Sequence, residues 1–171
     1  MENAIRRFEI VEGYENANIN LPRRATTHAA GYDFEAAEDI TIPSIWKTVL
    51  SNKDAILLGG DIKEDIKPTL VPTGIKALFP TDEVLYLYNR SSGPKNGRIL
   101  ANSVGVIDAD YYYTEDAKGH IKFAFYNYSL QDIIIKKGER IGQGVFQKYL
   151  ITDDDIPGEA RKGGFGDSGK N

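Results

Sequence analysis

The chain contains no cysteine among its 171 residues. Disulfides, zinc ribbons and thiol nucleophiles are therefore excluded. It has only two histidines, His28 and His120, so a multi-histidine metal centre is excluded as well. No apolar run approaches the roughly 20 residues that a membrane-spanning helix needs. Residues 1–7 are polar and lack the apolar stretch of a secretory signal. Positive charge is not in surplus: 25 acids face 21 bases, for a net charge of −4. That balance argues against a broad nucleic-acid face, which wants a basic surface. Long helical stretches are missing too. The best one, residues 53–67, is interrupted by Gly59-Gly60. These absences predict a cytoplasmic, soluble protein with no membrane or nucleic-acid partner.

What remains is a chain of the right length for one domain. Apolar residues make up 41% and charged residues 27%, a balance that supports a folded core rather than disorder. Ten Tyr, seven Phe and one Trp are spread among 17 Gly and seven Pro. Short β-branched and aromatic runs lie between these breakers, the pattern of an all-β sandwich or barrel. The predicted strands cover residues 5–11, 32–36, 39–42, 46–50, 74–79, 84–89, 99–102, 121–127, 133–135 and 141–149. Ile121, Phe123 and Phe125 alternate with Lys122 and Ala124, so one face of that strand is buried. Residues 84–88 are apolar on both faces and read as a central strand. Residues 51–68 read as an inserted surface excursion with one helical turn. Ser92-Gly93-Pro94 reads as another turn, capped by Ser92 with Pro94 at the first helical position. From Thr152 onward the composition changes. Residues 152–171 are predicted as a mobile tail after a β domain over 1–151, since four glycines fall within 163–169.

Four segments carry chemistry. In Ala30-Gly31-Tyr32-Asp33-Phe34 an acid sits inside an apolar strand, which is costly unless it is paired, hydrated or close to a cation. A solvated strand edge fits equally well. Asn89-Arg90-Ser91-Ser92-Gly93 puts a guanidinium, two hydroxyls and loose amides after an apolar strand, a small phosphate cradle. A turn with a surface arginine also fits. In the segment from Asn102 to Tyr111, Asn102 offers a donor and an acceptor for a base edge. Asp108 stands where a buried strand ends, placed to orient and deprotonate a water, and Tyr111 can lay its ring against a sugar. A hairpin turn is the plain alternative. In the tail, Phe165 can stack on a base and Arg161 can reach a triphosphate, unless the segment is only a disordered end.

In order and combination these segments resemble the trimeric dUTPase family over about residues 20–169, with a fourth motif at Gly138-Glu139-Arg140-Ile141-Gly142-Gln143. The stretches 51–68 and 112–119 resemble a Gram-positive bacterial or phage branch. The resemblance implies a jelly-roll β domain, a homotrimer with active sites between subunits, and a tail that closes over each site. It implies dUTP as substrate, Mg²⁺ as cofactor, and dUMP and pyrophosphate as products. By the same resemblance Asp33 would hold waters on the Mg²⁺. Arg90, Ser91, Ser92 and Gly93 would meet phosphates. Asn102, with Gly105 and Ile107 beside it, would read uracil. Asp108 would be the general base, and Tyr111 would exclude a ribose 2′-hydroxyl. Gln143 would bind phosphate, while Arg161, Phe165, Gly166 and Ser168 would belong to the closing tail.

Three positions depart from the family pattern. Arg161 stands two residues before the double glycine rather than three, Asp167 replaces a common serine, and Asn89 replaces a frequent proline with an effect expected only at the strand end. Two other readings are a dCTP deaminase of the same fold and a nucleotide-binding regulatory module that uses 51–68 to meet a protein partner.

Overall fold

The computed structural model describes residues 5–63 and 65–158. In chain order the elements are β1 (Arg7–Ile10), β2 (Arg23–Arg24), β3 (Tyr32–Glu35), β4 (Ile40–Ile42), α1 (Ile45–Ser51), α2 (Lys53–Leu57), β5 (Thr69–Leu78), β6 (Glu83–Asn89), α3 (Ser92–Lys95), β7 (Arg98–Leu100), β8 (Gly105–Asp108), a 3-10 turn (Ala109–Tyr113), β9 (Ile121–Asn127), β10 (Ile133–Ile135) and β11 (Arg140–Lys148). One sheet has the order β1-β5-β9-β7, a second has β2-β3-β11-β6-β8, and β4 pairs with β10 in a short ribbon. The two larger sheets enclose the core, as expected for an all-β jelly roll. The substrate-binding expectations on the tail (Arg161, Phe165, Gly166, Ser168) lie outside the described residues.

Alternation puts the core where the pattern predicts it. Ile121, Phe123 and Phe125 of β9 are fully buried, and so are Phe34 of β3, Leu85 of β6 and Ile141 of β11. β6 lies inside its sheet between β11 and β8, consistent with its apolar character on both faces. Gly142 shows how closely the sheets approach. A Cβ there would fall 2.0 Å from Cε1 of Phe123, so no larger residue fits without moving the ring.

Two local expectations need correction. Residues 46–50, expected as a strand, form most of α1. The β-branched residues there favour a strand on propensity, but Ser44 caps the helix by accepting a hydrogen bond from the Trp46 amide at 3.2 Å. Pro43-Ser44 was the available start signal. The helical part of the excursion therefore begins before residue 51 and continues into α2. Neither helix buries a residue, and Leu57 and Leu58 are among the most exposed apolar side chains described. The turn after β6 begins one residue earlier than expected. Ser91, not Ser92, occupies the cap position of α3, with no side-chain capping bond, and Pro94 sits in the third helical position.

A bulge between Pro72 and Ile75 breaks the ladder between β5 and β9. Gly74 adopts φ +68° there, a conformation that glycine reaches without a Cβ penalty. The amides freed by the bulge find side chains. Thr73 Oγ1 donates to the Ile121 carbonyl and accepts from the Ile75 amide, at 2.6 and 3.1 Å. The Gly74 amide donates to Nε2 of buried His120 at 2.9 Å. That bond requires an unprotonated Nε2, and burial, with Lys122 as a lesser influence, pushes the imidazole down to about 4. The unfolded chain binds this proton at about pH 6.5, so the folded state is favoured above that value and loses the contribution as pH falls through about 4. Thermal melts should show stability dropping across this window by an amount of order 3 kcal/mol. In His120→Gln, whose amide oxygen can still accept from Gly74, the fall should be much shallower. Parallel curves for the two proteins would disprove this role.

Candidate functional site

The outer face of the five-stranded sheet carries three cross-strand rows. Directly opposed residues on antiparallel strands project from one face. Arg23, Asp33, Gln143 and Tyr88 are opposed in succession across β2, β3, β11 and β6. Two residues along lies the apolar row Val145, Tyr86 and Val106. Two further along lies Gln147, Val84 and Asp108. The inward-facing residues between these rows belong to the core, which makes the face rigid.

Asp33 is the centre of the first row. Its Oδ1 accepts from Arg90 Nε at 3.1 Å, and its Oδ2 accepts from Arg140 Nη1 at 3.2 Å. The acid inside β3 is therefore paired with cations rather than merely solvated. Arg90 reaches it from just beyond the end of β6, and Arg140 from the first residue of β11. Gln143 crosses the same surface because Gly31 leaves space for it. A Cβ on Gly31 would lie 2.5 Å from Gln143 Oε1. Ser91 and Ser92 are exposed at the start of α3, and Gly93 is buried beneath them. A cleft of about 330 Å³ opens beside Asp33, lined by Arg23, Arg24, Arg140, Asn20 and Glu35 among others. Guanidiniums, hydroxyls and an amide on one surface suit an anion with several oxygens.

Asn89 does more than shape the strand end. Its Oδ1 is buried without a hydrogen-bond partner, and so is Arg98 Nε. Both lie close to Gly93, at 3.5 and 3.9 Å from where its Cβ would be. Arg98 also donates to Glu139 Oε1 at 2.9 Å and sits 5.2 Å from the Phe125 ring centroid. It links the turn that follows Arg90 to the turn that precedes Arg140. Arg98, Arg140 and Arg23 were all missed as site residues. The only sequence signal for Arg140 was its place between two glycines of the fourth motif, and arginine alone on β2 or β7 gave none.

The segment from Asn102 to Tyr111 occupies the other end of the face. Asn102 is exposed in the turn between β7 and β8, next to Ser103 with φ +61°. Gly105 packs against Leu87, and a Cβ there would come within 2.9 Å of the Leu87 Cβ. Ile107 packs against the core. Their side chains are thus structural, and what they present outward is backbone, since β8 is an edge strand of its sheet. Asp108 is half-buried at the end of β8. Tyr111 is only 6% exposed, and its hydroxyl donates to the His120 carbonyl at 2.9 Å. Only a small part of the ring is left for a ligand.

The two halves do not converge within one chain. Asp33 and Asp108 are three strands and four residues apart on the same face, roughly 20 Å at about 4.8 Å per strand and 3.4 Å per residue. Arg90 is as far from Asp108 along β6. Among the described residues no group of three or more His, Asp or Glu side chains could hold a metal ion, and no helix is long and apolar enough to cross a membrane.

Known proteins share both the sequence and the fold. The family model described as dUTPase matches residues 60–169. A deoxyuridine 5′-triphosphate nucleotidohydrolase of Lactococcus lactis is 45% identical over 96% of this chain and 98% of its own length. The crystal structure of a dUTPase from Streptococcus mutans matches with a TM-score of 0.70 and 40% identity, over 85% of this chain and 98% of that one. A mutant dUTPase from phage phi11 of Staphylococcus aureus, which coordinates a structural Mg(II) ion, shares the fold at 15% identity and a TM-score of 0.64, over 91% of this chain and 97% of its own. With matches this long and this similar, the chain belongs to the dUTPase family.

Proposed function

We propose that this protein hydrolyses dUTP to dUMP and pyrophosphate in a site completed by two or more copies of the chain. The observation that carries the reading is the convergence of Arg90 and Arg140 on Asp33, in one row with Gln143 and roughly 20 Å, by strand spacing, from Asp108. The first group suits the phosphates and the second suits the nucleoside. A single chain keeps them too far apart to serve one nucleotide. The row Val145-Tyr86-Val106 lies between them, apolar and partly exposed, the kind of surface that a second subunit covers. A homotrimer meets this requirement.

On this reading Arg90, Arg140 and Gln143 bind and orient the phosphates, with Ser91 near the α–β bridging oxygen. Asn102 and the outer backbone edge of β8 read uracil. Thymine's 5-methyl group would clash in a snug pocket, and cytosine would present the wrong donor pattern. Asp108, beside the nucleoside, accepts the proton of the attacking water. The water oxygen bonds to the α-phosphorus, the bond from that phosphorus to the bridging oxygen breaks, and pyrophosphate leaves with the electron pair. Positioning and preorganised positive charge supply most of the acceleration. Asp33 has both oxygens engaged by arginines, so it would hold a phosphate-bound Mg²⁺ through water rather than as a direct ligand. When bound, Mg²⁺ would neutralise charge on the phosphate chain. The tail residues Arg161, Phe165, Gly166 and Ser168 would close the site.

Pyrophosphate release from dUTP, measured beside dTTP, dCTP and UTP, tests the reaction and its selectivity. Asp108→Asn should lower turnover by about 10²–10⁴-fold with nucleotide binding largely kept. A variant that retains more than about a tenth of the rate would remove Asp108 from the base role.

The shared site makes a second, independent prediction. Asp108→Asn and Arg90→Gln subunits should each be nearly inactive alone. After joint unfolding and refolding, mixed oligomers should recover activity, because some sites then combine an intact Asp108 with an intact Arg90. Recovery no greater than the sum of the separate variants would place both residues in one subunit's site and refute the shared arrangement.

A further inference from the structure

Two arginines make up β2, and they have different surroundings. Arg24 donates from Nη1 to the carbonyls of Thr27 and Ala29, at 3.0 and 3.2 Å. It is committed to the shape of the turn that leads to Gly31. Arg23 is exposed, and its guanidinium has no hydrogen bond or ion pair among the described residues. Its place in the sheet is nonetheless fixed, directly opposite Asp33.

The neighbourhood of Arg23 holds more cation than anion. Arg90 and Arg140 already occupy both oxygens of Asp33. The other nearby carboxylate, Glu35, accepts from Asn20 Nδ2 at 2.9 Å. Arg23, Arg24, Arg90 and Arg140 against Asp33 and Glu35 leave two surplus positive charges, and of the two arginines without a carboxylate partner only Arg23 has an uncommitted guanidinium among the described residues. That surplus faces the cleft of about 330 Å³ beside Asp33. A guanidinium with no partner among the described residues, beside a carboxylate whose charge two other arginines already share, is set up for an external anion. Arg23 also lies at the far end of its row from β6, where Arg90 and Ser91 begin. Three strand spacings separate β2 from β6, roughly 14 Å, so Arg23 and Arg90 flank Asp33 from opposite sides.

We propose that Arg23 binds the terminal phosphate of the nucleotide and thereby sets the preference for triphosphate over shorter phosphate chains. The proposal rests on the dUTP reading, with Arg90 and Ser91 at the phosphates nearer the sugar. Arg23 is then a specificity-determining residue on the edge strand, outside the family motifs that the sequence displays.

The test is titration calorimetry on the full chain with α,β-imido-dUTP, dUDP and dUMP, each with Mg²⁺. Arg23→Gln should weaken α,β-imido-dUTP by about tenfold, the loss of one charge-assisted contact, and leave dUMP unchanged. Arg23→Lys, which keeps the charge, should retain part of the triphosphate affinity. The side chain is exposed, so melting temperatures should match the wild type and confirm an intact fold. An equal loss for all three nucleotides, or no loss for the triphosphate analogue, would overturn the proposal while leaving the dUTP reading in place. A wild-type protein that fails to bind α,β-imido-dUTP would overturn both.

Discussion

A single carboxylate keeps two guanidiniums together on the surface of this sheet. Asp33 projects from the middle of β3, where Arg140 arrives from the start of β11 and Arg90 from the end of β6. Without an anion between them those cations would repel one another and spread into solvent. With it they are held before any ligand arrives, so little reorganisation is left for the moment of binding. Neighbouring features serve the same end. Gly31 lets Gln143 lie over the strand beside Asp33, and Gly142 lets β11 sit down on Phe123. Arg98 ties the turn after Arg90 to the turn before Arg140 through Glu139. The charged surface is held in place by a core that cannot shift without moving packed aromatic rings.

The same face has a second demand on it. The row of Asp33 and Gln143, proposed to meet the phosphates, and the row of Asp108, proposed to meet the nucleoside, are separated by the apolar residues Val145, Tyr86 and Val106. On the proposed reading this face would be at once part of an active site and part of a subunit contact. Binding energy between subunits and binding energy for the substrate are then linked, since anything that misaligns the contact also misaligns the two halves of the site.

Much of this was legible in the chain before any coordinates. Alternation over 121–125 located the core face of β9, and the apolar run at 84–88 located an interior strand, because burial in a sheet leaves a period-two or continuous apolar signature. Asp33, Arg90 and Asp108 stand out because each interrupts or ends such a signature with chemistry that it does not need, whereas Gln143 is pointed to only by the family resemblance. Other features left no mark. The helix at 45–51 is written in β-branched residues and was decided by Ser44, a capping contact of one residue. β2 is too short to have a period. The partner of Asp33, the burial of Tyr111 and the bracing by Arg98 are contacts between residues 41 to 107 positions apart or fixed by the turn of another element, and no local pattern encodes them.

The brevity of β2 has a consequence for how the protein behaves in a crowded solution. A strand at the edge of a sheet offers unpaired backbone groups to any other chain that can lie beside it, and long, flat, apolar edges invite such pairing. Here that edge of the five-stranded sheet is two residues long and both are arginine. A strand from another molecule would find little backbone to pair with, and it would have to approach through like or uncompensated charge. The arginines that give the cleft its surplus of positive charge thus also stand guard at the sheet's margin, and an edge so short and so charged is a poor template for aggregation.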